Sequence, residues 1–343
     1  MRAVVYSEHG DPSVLRLVDR PEREPGPGEV RVAVRVSGVN PTDWKSRSGL
    51  TARDSFPEVV PNQDGAGVVD AVGEGVSNLR AGQRVWVWEA QNGRPDGTAQ
   101  ESLVLPAENV VLLPPVASFE LGASLGVPAL TAHRCLTVTE GGPPTLVPGA
   151  LAGRTVMVAG GAGAVGNAAI QLARWAGARV VATVSGSQKA KLAEAAGADH
   201  VVNYRSEDAA SAVRAWAPHG VDTIVEVAPA VNAELDAAVL APGGTVAVYA
   251  NNGGSSMTLE IRPHMSLNAR YQFVLLYTVP PAAKRQALLD VSAAVAAQAF
   301  RVGEEAGLPL HRYPLEGTAE AHAAVEQGAV GKVLIDVAPE GGG

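Results

Sequence analysis

The sequence predicts an α/β protein of two domains, a β-rich, barrel-like one and a doubly wound parallel sheet. Three observations carry this. The first third alternates apolar and polar residues at strand period, as in residues 29–36. From residue 154 onward, short β-branched runs alternate with Ala-rich helical stretches. Between one such run and the next helix stands Gly160-Gly161-Ala162-Gly163-Ala164-Val165-Gly166.

Residues 14–18, 29–36, 68–72, 83–88 and 99–105 read as strands broken by glycine and proline, with the turn at 25–28 between the first two. That pattern suits a small closed sheet. Residues 119–136 read as one Ala-rich helix, followed by a Pro/Gly loop. Strands are then expected at 154–159, 179–184, 201–204, 221–227, 244–249 and 273–277. Helices are expected at 167–176, 188–196, 208–216 and 232–240. A helix at 282–298, another at 319–327 and a strand at 332–337 break that rhythm and are expected to return to the first domain. Residues 341–343 are expected to be a loose end.

The chain has 343 residues, a net charge of −8 and only 4% aromatic residues, so its core must be mostly Ala, Val and Leu. No window is apolar enough for a membrane helix. The N-terminus runs straight into a strand-like pattern with no signal peptide, which fits a soluble, cytoplasmic protein. The acidic balance argues against a nucleic-acid surface. Cys135 is the single cysteine. An internal disulfide and a multi-cysteine zinc lobe are therefore excluded, and a packed helical setting makes Cys135 a small buried hydrophobe.

Gly161, Gly163 and Gly166 fit G-x-G-x-x-G between a strand and a helix. The first allows a tight turn, the second lets backbone approach a pyrophosphate, and the third lets helix pack on strand. The helix start then offers free N–H groups to phosphate. An NAD-selective fold places Asp or Glu about 20 residues further on, to hold a ribose 2′-hydroxyl. Here that position reads Ser185-Gly186-Ser187-Gln188-Lys189. Two hydroxyls and a cation suit a 2′-phosphate, so the cofactor expected is NADPH.

The order of elements resembles the medium-chain dehydrogenase/reductase superfamily, and more narrowly its zinc-free, zeta-crystallin-like NADPH:quinone oxidoreductases. The carriers are residues 37–49, 61–69 with 71–73, 81–85, the glycine stretch and 328–334. The resemblance implies a GroES-like catalytic domain over residues 1–124, a Rossmann NADPH-binding domain over 125–277, and a return to the first domain over 278–343. Zinc alcohol dehydrogenases carry Gly-His-Glu where this chain has Asn62-Gln63-Asp64, so Gln63 replaces the metal-binding His. Val39-Asn40 occupies the region of the catalytic-zinc Cys. No metal ligands are expected.

Carried over residue by residue, the resemblance implies that Asn40, Asp43 and Trp44 line the substrate. It places Pro41, Lys45 and Thr131 beside the nicotinamide, Lys45 standing where many relatives have Tyr. Gly161, Ala162, Gly163, Ala164 and Val165 form the phosphate loop. Ser185, Lys189 and Tyr204 form the 2′-phosphate pocket. Asn232, Tyr249, Ala250, Asn251, Leu275, Leu276 and Tyr277 follow the cofactor, and Lys332 lies near its cleft; an exposed lysine at a strand start is the alternative for Lys332. Asp43, after Asn-Pro-Thr, is read before that as the cap of a short helix, and a core or rim position is the equal alternative for Trp44. No catalytic acid can be named.

Without zinc to polarise an alcohol, the reaction expected is hydride transfer to a quinone, whose developing oxyanion is already delocalised. The alternatives are a reductase of enone or enoyl double bonds, and an NADPH-bound RNA-binding or structural protein. The run 273–277 at the sheet edge is expected to pair two copies into a homodimer. The substrate pocket is expected to draw on loops at 50–55 and 88–97.

Overall fold

The structure, a computed structural model, describes residues 1–51 and 56–338. Residues 52–55 of the expected pocket loop and the expected loose end at 341–343 lie outside the described residues. The chain divides into two compact units, one made of Met1–Val127 with the residues from Leu310 on, the other of Pro128–Pro309.

The first unit begins with β1 (Arg2–Val5), β2 (Arg16–Asp19), β3 (Glu29–Val39), α1 (Pro41–Arg47), β4 (Asp64–Val72), β5 (Arg84–Val87), β6 (Ser102–Pro106), β7 (Val110–Leu112) and α2 (Phe119–Gly122). The helix α3 (Gly126–Leu136) starts at its end. In β3 every second residue from Val30 to Val36 is buried, which is the alternation visible in the sequence. Val30, Val32 and Val34 join Val69, Val85, Leu103 and Leu105 in one core.

The second unit contains β8 (Thr155–Ala159), α4 (Ala164–Trp175), β9 (Arg179–Val184), α5 (Ser187–Ala195), β10 (His200–Asn203), α6 (Ala209–Trp216), β11 (Val221–Glu226), α7 (Pro229–Val239), β12 (Leu240–Val248), α8 (Ile261–Leu267), β13 (Arg270–Phe273) and α9 (Pro281–Ala296). Among the described residues its sheet is six-stranded and parallel, in the order β10-β9-β8-β11-β12-β13. All five residues of β8 are buried, as expected for a central strand covered on both faces. The order reverses between β8 and β11, where doubly wound folds bind ligands at the carboxyl ends of the strands.

The chain then returns to the first unit with β14 (Leu310–Pro314), α10 (Thr318–Glu326) and β15 (Lys332–Asp336). The antiparallel pairing of β15 with β3 places Leu334 opposite Gly38, and Gly38 in turn stands opposite Asp64 of β4.

Three expectations are corrected. Residues 119–136 form two helices rather than one. The second starts at Gly126 because both carboxylate oxygens of Asp64 accept the Val127 amide, at 2.9 and 3.0 Å. The helix α9, expected in the returning tail, is grouped with the second unit. Its Asp290 accepts from His133 Nε2 and from the Leu146 amide, each at 2.7 Å. The apolar run 273–277 is strand only at Phe273. Pairing with β12 ends at the Val248–Phe273 register, and Leu276–Thr278 turns as a 3₁₀ helix. The strand β14 and the helix α8 stand outside the elements that the sequence pattern predicts.

Candidate functional site

In the second unit, the glycine turn joins β8 to α4. Gly160 takes the left-handed conformation (φ 69°), so the tight turn falls to Gly160 and not to Gly161. Gly161 is required by packing, since a Cβ there would stand 2.8 Å from the Ala182 Cβ. Gly166 is required by close approach, since its Cβ would lie 2.4 Å from the Gly160 carbonyl oxygen. Gly163 is the N-cap of α4, extended and without a capping side chain. Helix geometry leaves the first-turn amides after it without an intrahelical acceptor. Ala162 is buried, while Gly163 is exposed and Ala164 and Val165 are half-buried, so the loop presents backbone rather than side chains.

Ser185 follows directly on β9, and Lys189 lies one helical turn further, in α5. Lys189 Nζ donates to Ser185 Oγ at 3.1 Å. Tyr204 follows β10, is 51% exposed, and its amide donates to the Val184 carbonyl at 3.2 Å. The structure therefore brings all three residues to the carboxyl ends of two adjacent parallel strands.

Asn232 in α7 donates Nδ2 to Glu226 Oε1 at 3.0 Å, and the Tyr249 amide donates to the Glu226 carbonyl at 3.0 Å. Glu226 and Asp236 are both buried, and burial pushes both carboxyls above the usual range, with Glu226 adding to the rise at Asp236. Burial also raises the Tyr249 phenol. Ala250 is half-buried and Asn251 exposed. Leu275 is exposed, Leu276 buried and Tyr277 half-buried. Thr131 is buried in α3. Cys135 is fully buried, and burial pushes its thiol up to about 12, so it is not a nucleophile at neutral pH.

In the first unit, Asn40 and Asp43 form a reciprocal cap at the start of α1, with the Asn40 amide donating to Asp43 Oδ2 at 2.7 Å. Both are buried. Asn40 Nδ2 donates to Asp64 Oδ2, and Lys332 Nζ donates to Asn40 Oδ1, each at 2.7 Å. Lys332 is thus a buried lysine, not the exposed strand-start residue of the alternative reading. Pro41 is exposed; Trp44 and Lys45 are half-buried, with Lys45 Nζ 5.9 Å from the Trp44 ring centre. With the half-buried Thr42, those three form the partly exposed side of the segment.

Burial, and next the charge of Asp64, push the Asp43 carboxyl up to about 8, so it is protonated at neutral pH. Burial raises Asp64 and lowers Lys332 as well, each opposed by the charge of the other. Gln63 Nε2 donates to Gln91 Oε1, and the Gln91 amide donates to Gln63 Oε1, both at 3.2 Å. Among the described residues no group of three His, Cys, Asp or Glu side chains is placed to hold a metal ion. No helix among them is long and apolar enough to cross a membrane.

Sequence reasoning does not reach His322, nor the contacts that Asp64 makes. His322 is fully buried in α10 and meets Asn62 Oδ1 through Nε2 at 2.9 Å, while Asn62 holds a left-handed φ of 81°. The Asn62 Nδ2 donates in turn to Ser37 Oγ at 2.9 Å. Burial pushes His322 down to about 3, so it stays neutral.

Comparison with known proteins agrees with this architecture. The family model for the alcohol dehydrogenase GroES-like domain matches residues 26–115, and that for zinc-binding dehydrogenase matches residues 164–293. A human quinone oxidoreductase is 31% identical over 339 residues, covering 98% of this chain and 97% of its own length. Among solved structures, an NAD-dependent alcohol dehydrogenase superposes with a TM-score of 0.85 at 30% identity, covering 98% of this chain and 100% of its own. Escherichia coli quinone oxidoreductase, solved with NADPH, gives 0.80 at 25% identity over 98% of this chain and 100% of its own. A GroES-like unit, a parallel-sheet unit and a full-length relative of that identity lead to one assignment: this chain belongs to the quinone oxidoreductase family of the medium-chain dehydrogenases/reductases.

Proposed function

We propose that this chain is an NADPH-dependent oxidoreductase that passes hydride to a quinone, without zinc. The Lys189–Ser185 pair at the end of β9 carries the cofactor reading. A carboxylate there would select a ribose 2′-hydroxyl, whereas an ammonium beside a hydroxyl attracts a 2′-phosphate. The E. coli relative solved with NADPH supports the same choice, and the quinone oxidoreductase relatives support the acceptor.

When bound, NADPH supplies the hydride; the rest is done by the chain. The first-turn amides of α4 receive the pyrophosphate, with Gly166 keeping the helix close beneath them. Ser185, Lys189 and Tyr204 receive the 2′-phosphate. Pro41, Thr42, Trp44 and Lys45 give residues 40–45 their outward surface, while Asn40 and Asp43 hold that segment from within. Gln63 supports the zinc-free reading, because a neutral amide paired with Gln91 stands where zinc dehydrogenases place a histidine ligand.

The homodimer belongs to this reading too. The outer edge of β13 carries Phe273 at 63% exposure, with Leu275 beyond it at 46%. An unpaired edge with apolar side chains suits extension by a second copy. Sedimentation showing only monomer at micromolar concentration would remove that element.

The test is anaerobic oxidation of NADPH with a simple quinone and a linear enone supplied in parallel. Faster turnover with the quinone supports the proposal. Turnover with the enone alone moves the function to double-bond reduction. Binding of NADPH without turnover makes a cofactor-bound binding protein the better reading.

A further inference from the structure

Lys332 is 1% exposed, and a lysine ammonium is costly to bury unless it is paired. Its Nζ donates to Asn40 Oδ1 and lies 3.6 Å from Asp64 Oδ2, the oxygen that accepts from Asn40 Nδ2. The three side chains close a ring in which both ends of the Asn40 carboxamide meet a charged group of the matching kind. Flipping the amide would set its oxygen against the Asp64 carboxylate and its NH₂ against the ammonium, so only one orientation is stable.

The backbone makes room for this ring. A Cβ at Gly38 would stand 3.1 Å from Lys332 Cε and 2.0 Å from the Ala123 carbonyl oxygen. A Cβ at Gly126 would stand 2.0 Å from Asp64 Oδ1. Two side chains are thus absent where the charged pair needs space. From Asn40 the chain leads directly into α1 through the cap that Asp43 closes.

We propose that Lys332 is a positioning residue: together with Asp64 it fixes the Asn40 carboxamide, and through it the start of α1 at residues 40–43, in one orientation. Lys332 acts through Asn40. Only the activity arm of the test rests on the proposed function. Of the other ionisable groups, Asp43 acts on both Asp64 and Lys332, and Tyr6 and Arg47 lie behind it, next to Asp43 rather than to the ring. Asp43 is neutral at pH 7. The Tyr6 phenol is raised, first by burial and in smaller part by Asp43. Arg47 is turned away, donating to the Gly10 carbonyl and to Glu326.

The test compares the full chain with Lys332→Met and with the charge-balanced double variant Asp64→Asn/Lys332→Met. Hydrogen exchange of peptides covering residues 38–48 reads the position of the segment. Thermal unfolding between about pH 6 and pH 9 reads the charge of the ring. In Lys332→Met, exchange in that segment is expected to rise about tenfold or more while the β8–β11 peptides stay as in the wild type. Its melting temperature is expected to fall more steeply with pH, because Asp64 has lost its cation. The double variant is expected to lose that extra slope but keep the fast exchange. In the activity arm, kcat with NADPH and quinone is expected to fall about tenfold, with NADPH affinity held within about twofold. Unchanged exchange at residues 38–48, or an equal rise in every peptide, overturns the proposal. Should Lys332→Met not fold, the double variant carries the same exchange comparison. Should the wild type lack turnover, the proposed function fails, and the exchange result alone still decides the role of Lys332.

Discussion

Lys189 Nζ and Ser185 Oγ are joined at 3.1 Å, tying the carboxyl end of β9 to the first turn of α5. Near the N-terminus of a helix an ammonium is unfavourably placed against the macrodipole. A phosphate at that point would reverse the sign of the local interaction.

Replacing Lys189 with Ala is therefore expected to weaken NADPH binding by about 10- to 100-fold, the equivalent of about 1.5–3 kcal/mol for a charge-assisted contact. NADH binding should change little. Fluorescence titration with both nucleotides checks this; equal losses for the two would count against the 2′-phosphate pocket.

Gly166→Ala places a methyl 2.4 Å from the Gly160 carbonyl oxygen, which neither backbone can avoid without moving. The expected cost is about 1–3 kcal/mol of stability, typical of overpacking, together with loss of nucleotide binding as α4 shifts. Denaturant unfolding and nucleotide titration of the same variant measure the two effects.

The pH dependence of stability should carry two opposed slopes. Asp43 is pushed up to about 8 from an ordinary 3.8, so between those values the folded protein holds the extra proton and stability falls as pH rises. His322 is pushed down to about 3 from an ordinary 6.5, so over that interval the unfolded chain holds the extra proton and stability rises with pH. Each slope is about 1.4 kcal/mol per pH unit. The two oppose each other from about pH 4 to 6.5; above that the His322 slope is gone, while Asp43 goes on lowering stability up to about pH 8. Asp43→Asn keeps an acceptor for the Asn40 amide. It should flatten the decline above pH 6.5 and uncover the rise below it. Urea midpoints at three pH values decide this.

Cys135 is expected to resist thiol reagents in the folded state, since it is fully buried and its thiolate is disfavoured. Labelling by Ellman's reagent should track unfolding. Rapid labelling of the native protein would contradict the packing of α3.

The legible parts of this fold were those coded locally. The glycine turn announces itself because backbone geometry admits few other residues at Gly160 and Gly166. The alternation in β3 follows from one buried face. What stayed hidden depends on partners distant in sequence. Lys332 and Asn40 are 292 residues apart, and nothing near either one reveals the other. The break between α2 and α3 is caused by a carboxylate from β4, which no helical pattern records. His133 and Asp290, 157 residues apart, hold α9 in the second unit although its composition fits either place. The 2′-phosphate residues were found because they replace an expected carboxylate at a fixed distance from the glycines. In the sequence Asp64 reads only as the counterpart of a zinc-site glutamate, and its part in holding Asn40 is visible only in three dimensions.

The central claim is tested most directly by steady-state oxidation of NADPH and NADH with a single quinone, at equal enzyme concentration and without oxygen. The expected result is turnover with kcat/KM for NADPH at least about tenfold above that for NADH, an amount that one charge-assisted phosphate contact supplies. Equal or better turnover with NADH, or no quinone-dependent oxidation of either nucleotide, would contradict it.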